Sequence, residues 1–406
     1  MPDTASGAVL PIPEPVLDIA RRLEAAGFET WCVGGAVRDN LIGDENSDFD
    51  LATAARPADV QKIFRRTVPI GVEHGTVAVL DEHNETHEVT TFRRDVTTDG
   101  RHAVVEFGVS IEEDLARRDF TINAIAYHPA RREWRDPFGG MADLRAKVLR
   151  AVGEPAARFR EDYLRILRLL RFAARFGFTI DPPTWDAARA ATDGLAHLSA
   201  ERVREEWLRG LATARLPSEL VRLWHEIGAL VRWLPEIGAD RIALCDAVDR
   251  LPRDPVLHTA YLSADPAATL FRLRCSRADV ERARRFAGHR EAWPDPAAPR
   301  SVRHWMATAG PAVDDLVAVA EAEGQPAGIA AAVAAVRATR APLAVGDLAV
   351  NGRDLLAAGV PAGPAVGETL RRLLERVLDE PDLNGREALL RLATNLPPAT
   401  GAGPRP

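Results

Sequence analysis

Strand-like alternation is confined to the first 150 or so residues of this chain. Beyond that point the apolar residues recur at helical spacing almost without interruption. This change of period is the strongest constraint on the fold. It predicts an α+β chain: a small head of mixed strands and helices, followed by an all-helical remainder. In the head, residues 15–26 read as an amphipathic helix stopped by Gly27, and 30–33 as a short apolar strand running into Gly34-Gly35. Residues 48–53, 76–80, 86–92 and 104–107 read as strands, and 57–64 and 119–127 as helices. The turn-rich run Asp136-Pro137-Phe138-Gly139-Gly140 closes the head. Helices are expected over 158–176, 184–193, 200–213, 217–229, 240–250, 265–287, 302–308, 311–322, 326–338 and 365–378. The proline-rich stretches 292–299 and 396–406 read as a linker and a frayed tail.

The length of 406 residues suits about two to four domains. A net charge of -7 gives no whole-molecule attraction to nucleic acid. A nucleic-acid site would have to come from local clustering of the 52 basic residues, nearly all arginine. Cys32, Cys245 and Cys275 are far apart and have no metal-ligand spacing, so they read as buried apolar residues in a reducing compartment. No basic-apolar signal segment and no bilayer-length apolar run is present, and a cytoplasmic location with no membrane partner is expected.

Asp48 and Asp50 flank Phe49 in a strand-like segment. Side chains two apart on a strand share a face, so the two carboxylates project together. Like charges this close are unfavourable unless a cation neutralises them, and hard carboxylate oxygens suit Mg²⁺. Metal ions held this way serve phosphoryl transfer. A lone Asp-x-Asp is weak evidence, and a solvated strand edge explains most of them. The context here raises its weight. Gly34-Gly35 permits close backbone approach to a triphosphate, and Arg38 follows three residues later.

The segment from Glu161 to Arg171 is the second informative piece. At about 100° per residue, Ile166, Leu167, Leu170, Ala173 and Ala174 share one side of a helix. Asp162, Arg165, Arg168, Arg171 and Arg175 spread over the other, with Glu161 and Asp162 as the local acids. A solvated charged face is the bland reading. Scarce acid partners and the interruptions at Leu169 and Phe172 argue against plain solvent exposure and give an anion site at least equal weight. The pair Asp162 and Arg165 can also read a base. Cytosine and adenine each offer an amino donor beside a ring-nitrogen acceptor; uracil and guanine offer the reverse. A carboxylate that accepts and a guanidinium that donates therefore match C and A.

The strings CVGGAVRD (32–39), SDFDLAT (47–53), EEDLARRDFTINAIAY (112–127), DPFGGMADL (136–144) and EDYLRILRLLRFAARF (161–176) resemble the class II CCA tRNA nucleotidyltransferases and bacterial poly(A) polymerases. The resemblance covers about residues 28–240 in matching order. It implies a polymerase-β-like nucleotidyltransferase head over 1–150, a helical neck with a nucleotide-reading helix over 151–215, a helical body over 216–300 and an RNA-binding helical tail over 301–406. It implies Mg²⁺ on Asp48 and Asp50, with Glu88 as a candidate third carboxylate. Nucleotide contacts are implied at Gly35, Arg38, Arg118, Asp162, Arg165, Arg168 and Arg171, with CTP, ATP and tRNA as partners. The implied reaction adds CCA to the 3′ end of tRNA and releases pyrophosphate. Enzymes that add only CC, only A, or a poly(A) tail share these strings. Residues 93–105 are short against the family, and a reduced loop in this region accompanies CC addition alone. Beyond Pro235 the sequence lacks the His/Asp pattern of a phosphohydrolase, so no such activity is expected. An RNA-binding protein on a dead fold would not need intact Asp48, Asp50, Arg118 and Asp162. Small-molecule nucleotidyltransferases lack an equivalent of the Asp162/Arg165 helix.

Overall fold

A glycine turn joins the first strand directly to a helix, and the head is organised around that junction. In a computed structural model describing residues 9–44, 48–71, 75–98, 103–324 and 326–395, helix α1 (Glu14–Ala25) precedes strand β1 (Thr30–Val33), then α2 (Gly35–Leu41) and β2 (Asp50–Thr53). There follow α3 (Pro57–Ile63), β3 (Thr67–Gly71), β4 (Thr76–Leu80), β5 (Thr86–Thr91), β6 (Arg93–Thr98) and β7 (Ala103–Phe107). The head ends with α4 (Ile111–Ala116), β8 (Ala126–His128), β9 (Glu133–Arg135), α5 (Gly140–Ala146) and β10 (Val148–Leu149). The 7-stranded sheet runs β3-β4-β5-β2-β1-β8-β9. β1 lies antiparallel to β2 and β8, while β2 and β5 are parallel. Trp31, Val33, Ala52, Phe92, Leu115 and Ala126 pack in the apolar core of this layer.

Residues 119–127, read above as a helix, fold otherwise. A 3-10 turn at Thr121–Asn123 is followed by β8, which pairs with β1. The β-branched Thr121, Ile122 and Ile125 weaken a helix there, and side-chain bonds from Asp119 hold the turn instead. The short segment 93–105 falls in a β6–β7 hairpin; residues 99–102 at its end lie outside the described residues.

The neck begins with α6 (Pro155–Glu161) and α7 (Leu164–Phe176), which replace the single helix expected over 158–176. Asp162 takes extended dihedrals (φ -153°, ψ 107°) and its carboxylate accepts from Leu164 N at 3.0 Å. It ends one helix and caps the next. β11 (Thr179–Ile180) pairs with β10, and α8 (Pro182–Ala190), α9 (Ala200–Thr213), α10 (Pro217–Glu226) and α11 (Ala229–Trp233) follow. Trp207 and Trp224 meet edge-on at 4.7 Å between α9 and α10.

The chain divides into two compact units, Met1–Ile237 and Gly238–Pro406; the division falls inside the span 216–300. The described part of the second unit is built of helices, from Ala239–Ile242 to Arg386–Asn395. The helices expected over 240–250 and 265–287 are each broken in two, the latter between Pro266–Arg272 and Arg277–His289. Arg282 holds this unit together by bonding Asp254 and Asp315. Cys32 and Cys245 are buried as expected, and Cys275 is half-buried. Among the described residues no helix is long and apolar enough to cross a membrane.

The turn at Asp136–Gly140 is tightly packed. Asp136 accepts from Gly140 N at 2.6 Å and Met141 N at 2.9 Å, capping α5. A Cβ on Gly140 would stand 2.1 Å from Thr121 O and 2.8 Å from Ile125 Cγ1. Gly140→Ala is therefore expected to destabilise the first unit by about 2–3 kcal/mol. The check is the first thermal transition, which should fall by roughly 5 °C or more. An unchanged transition would contradict this packing.

Candidate active site

Antiparallel pairing builds the site. Val33 is opposite Asp50, so the end of β1 and its glycine turn lie against the start of β2. Gly34 has φ 77° and ψ -136°, a conformation suited to glycine. A Cβ there would lie 3.1 Å from Arg118 Nη1 and 3.8 Å from Asp50 Oδ2. The glycine thus leaves room where a guanidinium and a carboxylate converge. Phe49 is buried, Asp48 is exposed and Asp50 is half-buried; β2 begins at Asp50, so Asp48 stands just before the strand that was expected to carry both carboxylates. Parallel pairing of Leu51 with Val89 brings Glu88 alongside Asp50. Burial, then the charge of Glu88, push the Asp50 carboxyl up to about 6; Arg118 opposes this and Asp48 adds to it.

Two carboxylates with a third nearby are a hard-oxygen donor set whose mutual repulsion a divalent cation would relieve, so these residues fit Mg²⁺. Among the described residues no group of three or more His, Cys, Asp or Glu, this one included, is placed to hold a metal ion by side chains alone. Magnesium sites in phosphoryl-transfer enzymes take one or two carboxylates and complete their shell with substrate phosphates and water.

Arg118 is held from behind. Its Nη2 donates to buried Asp114 at 3.2 Å and its Nη1 to Asn123 O at 3.3 Å, while its buried Nε has no partner. An unpaired buried donor beside the glycine turn is a reserve for an anion. Arg38 lies beneath Gly35, its Nη2 3.6 Å from where a Cβ on Gly35 would be. It is only 4% exposed, bonding Asp39 through Nε at 2.8 Å and Asn123 through Nη1. Its charge therefore acts from under the turn and not from solvent.

The neck helix meets the head through ion pairs. Arg165 Nη1 donates to Glu161 at 2.7 Å and its Nη2 to Arg117 O at 2.8 Å, fixing it next to Arg118. Asp162 Oδ2 accepts from Arg202 Nη2 at 2.6 Å. Arg168 bonds Asp119 through Nε at 2.7 Å. Burial raises the Asp119 carboxyl, but Arg168 and Asn123 outweigh it and hold the group down at about 2. Arg171 is 3% exposed and closed against Glu206 at 2.6 Å. Arg175 reaches Asp39 at 3.1 Å. The expectation of scarce acid partners is corrected here. Only Glu161 is local; Asp119, Glu206 and Asp39 arrive from distant segments.

The structure thus brings Gly35, Arg38, Asp48, Asp50 and Arg118 into the head site, and locks Arg165 and Arg168 onto the segment that carries Arg118. Asp162 stands at the break before α7, while Arg171 faces inward to α9. Sequence reasoning gave no role to Asp114, Asn123, Arg202 and Glu206, and took Asp119 only as the start of a helix over 119–127. Asp119 and Asn123 lie within the 112–127 string that carries the resemblance, so their polar character was a usable signal.

A carboxylate pair at the start of a strand, beside a glycine turn and backed by Arg38 and Arg118, has the form of a nucleotidyltransferase site. The poly A polymerase head domain model matches residues 30–150, the probable RNA and SrmB-binding site of polymerase A matches 177–240, and the putative tRNA nucleotidyltransferase domain 2 matches 316–393. The CCA-adding enzyme of Limosilactobacillus fermentum is 34% identical over 419 residues, covering 94% of this chain and 97% of that protein. That of Lacticaseibacillus paracasei is 34% identical, with 94% and 96% covered. The crystal structure of the Bacillus stearothermophilus CCA-adding enzyme in complex with CTP superposes with a TM-score of 0.77 at 32% identity, covering 94% of this chain and 96% of that one. The Thermotoga maritima CCA-adding enzyme complexed with tRNA shares the fold, with a TM-score of 0.63 at 19% identity over 94% of this chain and 96% of that one. This chain belongs to the family of CCA-adding enzymes.

Proposed function

We propose that this protein adds CCA to the 3′ end of tRNA from CTP and ATP, without a nucleic-acid template, and releases pyrophosphate. The observation that carries the reading is the meeting of two sites: the Asp50/Gly34/Arg118 cluster for phosphate chemistry and Asp162/Arg165 for the base, joined through Arg117 and Arg165. Asp48 and Asp50 would hold Mg²⁺, with Glu88 beside them. When bound, that ion supplies activation of the RNA 3′-hydroxyl and neutralisation of charge on the transferred phosphoryl group.

The chain's own residues do the rest. Gly34-Gly35 admit the triphosphate close to backbone. Arg118, whose Nη1 stands at Gly34, would stabilise the charge that builds on the departing pyrophosphate, with Arg38 adding its charge from beneath Gly35. Asp162 accepts from the amino group of C or A, and Arg165 donates to the adjacent ring nitrogen. U and G would leave both groups facing like partners. Arg168 and Arg171 serve the nucleotide through the helix they lock to Asp119 and Glu206.

We assign the head to 1–150, the neck to 151–215, the body to 216–300 and the RNA-holding tail to 301–406, in a cytoplasmic protein. The test is incubation with tRNA ending at the discriminator base. Three added nucleotides are expected when CTP and ATP are both supplied. Two cytidines only, or a long adenosine tail, would overturn the reading in favour of a CC-adding enzyme or a poly(A) polymerase.

A further inference from the structure

Asn123 occupies a place where the phosphate side and the base side of this site are wired together. It ends the 3-10 turn after Asp119 and is buried. Its Oδ1 accepts from Arg38 Nη1, and its Nδ2 donates to Asp119 Oδ1 at 2.9 Å. The partners fix the amide's orientation, since the flipped group would face donor to donor and acceptor to acceptor. A primary amide is suited to this place because it can satisfy a guanidinium and a carboxylate at once.

The chain of contacts continues at both ends. Asp119 accepts from Arg168 on α7. Arg38 bonds Asp39, which accepts from Arg175, two turns further along α7. On the same helix, Phe172 and Phe176 lie under the Arg38 guanidinium, at 5.2 and 4.9 Å from ring centre to charge. The contacts therefore close into a ring that leaves α7 at Arg168 and returns to it at Arg175. Within that ring Asn123 is the uncharged polar link.

We propose that Asn123 is a positioning residue for nucleotide binding: it holds the Arg38 charge under Gly35 and couples that charge to the base-reading helix. The inference rests on the reading that the triphosphate lies at Gly34-Gly35. Asn123 itself touches no reacting atom. Asp39 holds Nε and Nη2 of Arg38 while Asn123 holds Nη1, so loss of the Asn123 acceptor leaves Nη1 without that partner and lets the guanidinium pivot about Asp39, out of its place under the glycine turn. Both nucleotides use the same phosphate side, so CTP and ATP are affected alike.

The test compares wild type with Asn123→Ala and Asn123→Asp, measuring KM for CTP, for ATP and for tRNA together with the melting temperature. Asn123→Ala is expected to raise both nucleotide KM values about tenfold, the range of one hydrogen bond to a charged group. The KM for tRNA should stay within about twofold of wild type. Asn123→Asp keeps an acceptor for Arg38 but sets a carboxylate against Asp119, so its nucleotide KM values should rise less than those of Asn123→Ala while its melting temperature falls. If the alanine variant does not fold, Asn123→Ser, whose short hydroxyl cannot span both partners, is expected to show the same roughly tenfold rise. Unchanged nucleotide KM in the alanine or serine variant would overturn the inference. So would an equal rise in Asn123→Asp, or a fall in kcat and melting temperature alone. A wild-type protein that extends tRNA keeps the proposed function standing whichever way these variants behave; a wild-type protein that does not would remove that reading itself.

Discussion

Asp50→Asn should abolish nucleotide incorporation and, at the same time, make the metal-free protein harder to melt. The activity loss is expected to be about 10³-fold or more in kcat, because Asp50 is proposed to hold the ion and lies within the cluster that must stabilise the transferred phosphoryl group. The stability gain follows from the same geometry. Asp50 is half-buried, lies beside Glu88 and follows Asp48, and its carboxyl is pushed up to about 6. A group whose folded value is raised disfavours the fold when it is ionised, and near neutral pH most of it is ionised. The neutral, isosteric amide removes the burial penalty and the repulsion while leaving the β1–β2 register intact. In a chelator-containing buffer the variant's melting temperature should therefore rise, and tRNA binding should be unaffected. This is the pattern expected where function is kept at the expense of stability. An Asp50→Asn variant that still incorporates nucleotides would refute the assignment of Asp50. One that melts lower would refute its described environment.

The second large effect concerns which nucleotide is taken. Asp162→Asn keeps the side chain's shape and its cap on Leu164, but replaces a pure acceptor by a group that can also donate. The proposed selection of C and A over U and G rests on an acceptor at this position. The kcat/KM for CTP and for ATP should fall about 10- to 100-fold, the range for one mismatched buried hydrogen bond. That for UTP should fall far less, so discrimination narrows. Arg165→Ala should narrow it too, and should also release the contact to Arg117 O that ties the helix to the head. The measurement is incorporation of each of the four nucleotides supplied singly. Uniform loss across all four would mean that Asp162 supports the neck and does not read the base.

Much of the head was legible because short-range physics dominates there. Strand-like patterning located β4 and a short apolar run located β1 at their observed bounds, and helical spacing located α9. The Asp48–Phe49–Asp50 alternation and the glycine turn were legible for the same reason: both depend on neighbours in sequence. What escaped was set by contacts between distant segments. Nothing in the spacing of 158–176 shows that Asp162 will leave the helix, since that break pairs it with Arg202, forty residues on. Nothing local reveals that Arg168 will be neutralised by Asp119, or Arg171 by Glu206. A helix face with few acids nearby therefore looked like a free anion site, when most of its charge is neutralised within the fold. Residues 119–127 failed for a related reason: pairing with β1 and the Asp119–Asn123 bond outweigh an apolar period that suits a helix.

One site, with one carboxylate pair and one base-reading pair, is proposed to perform both C and A addition. Two substrates separate these steps: tRNA ending at the discriminator base, supplied with CTP, and tRNA already ending in CC, supplied with ATP. Rates of single-nucleotide addition to each should be measured for wild type and for Asp50→Asn. Wild type is expected to extend both, and the variant to lose both by the same factor. Loss of C addition with A addition retained, or the reverse, would contradict a single site.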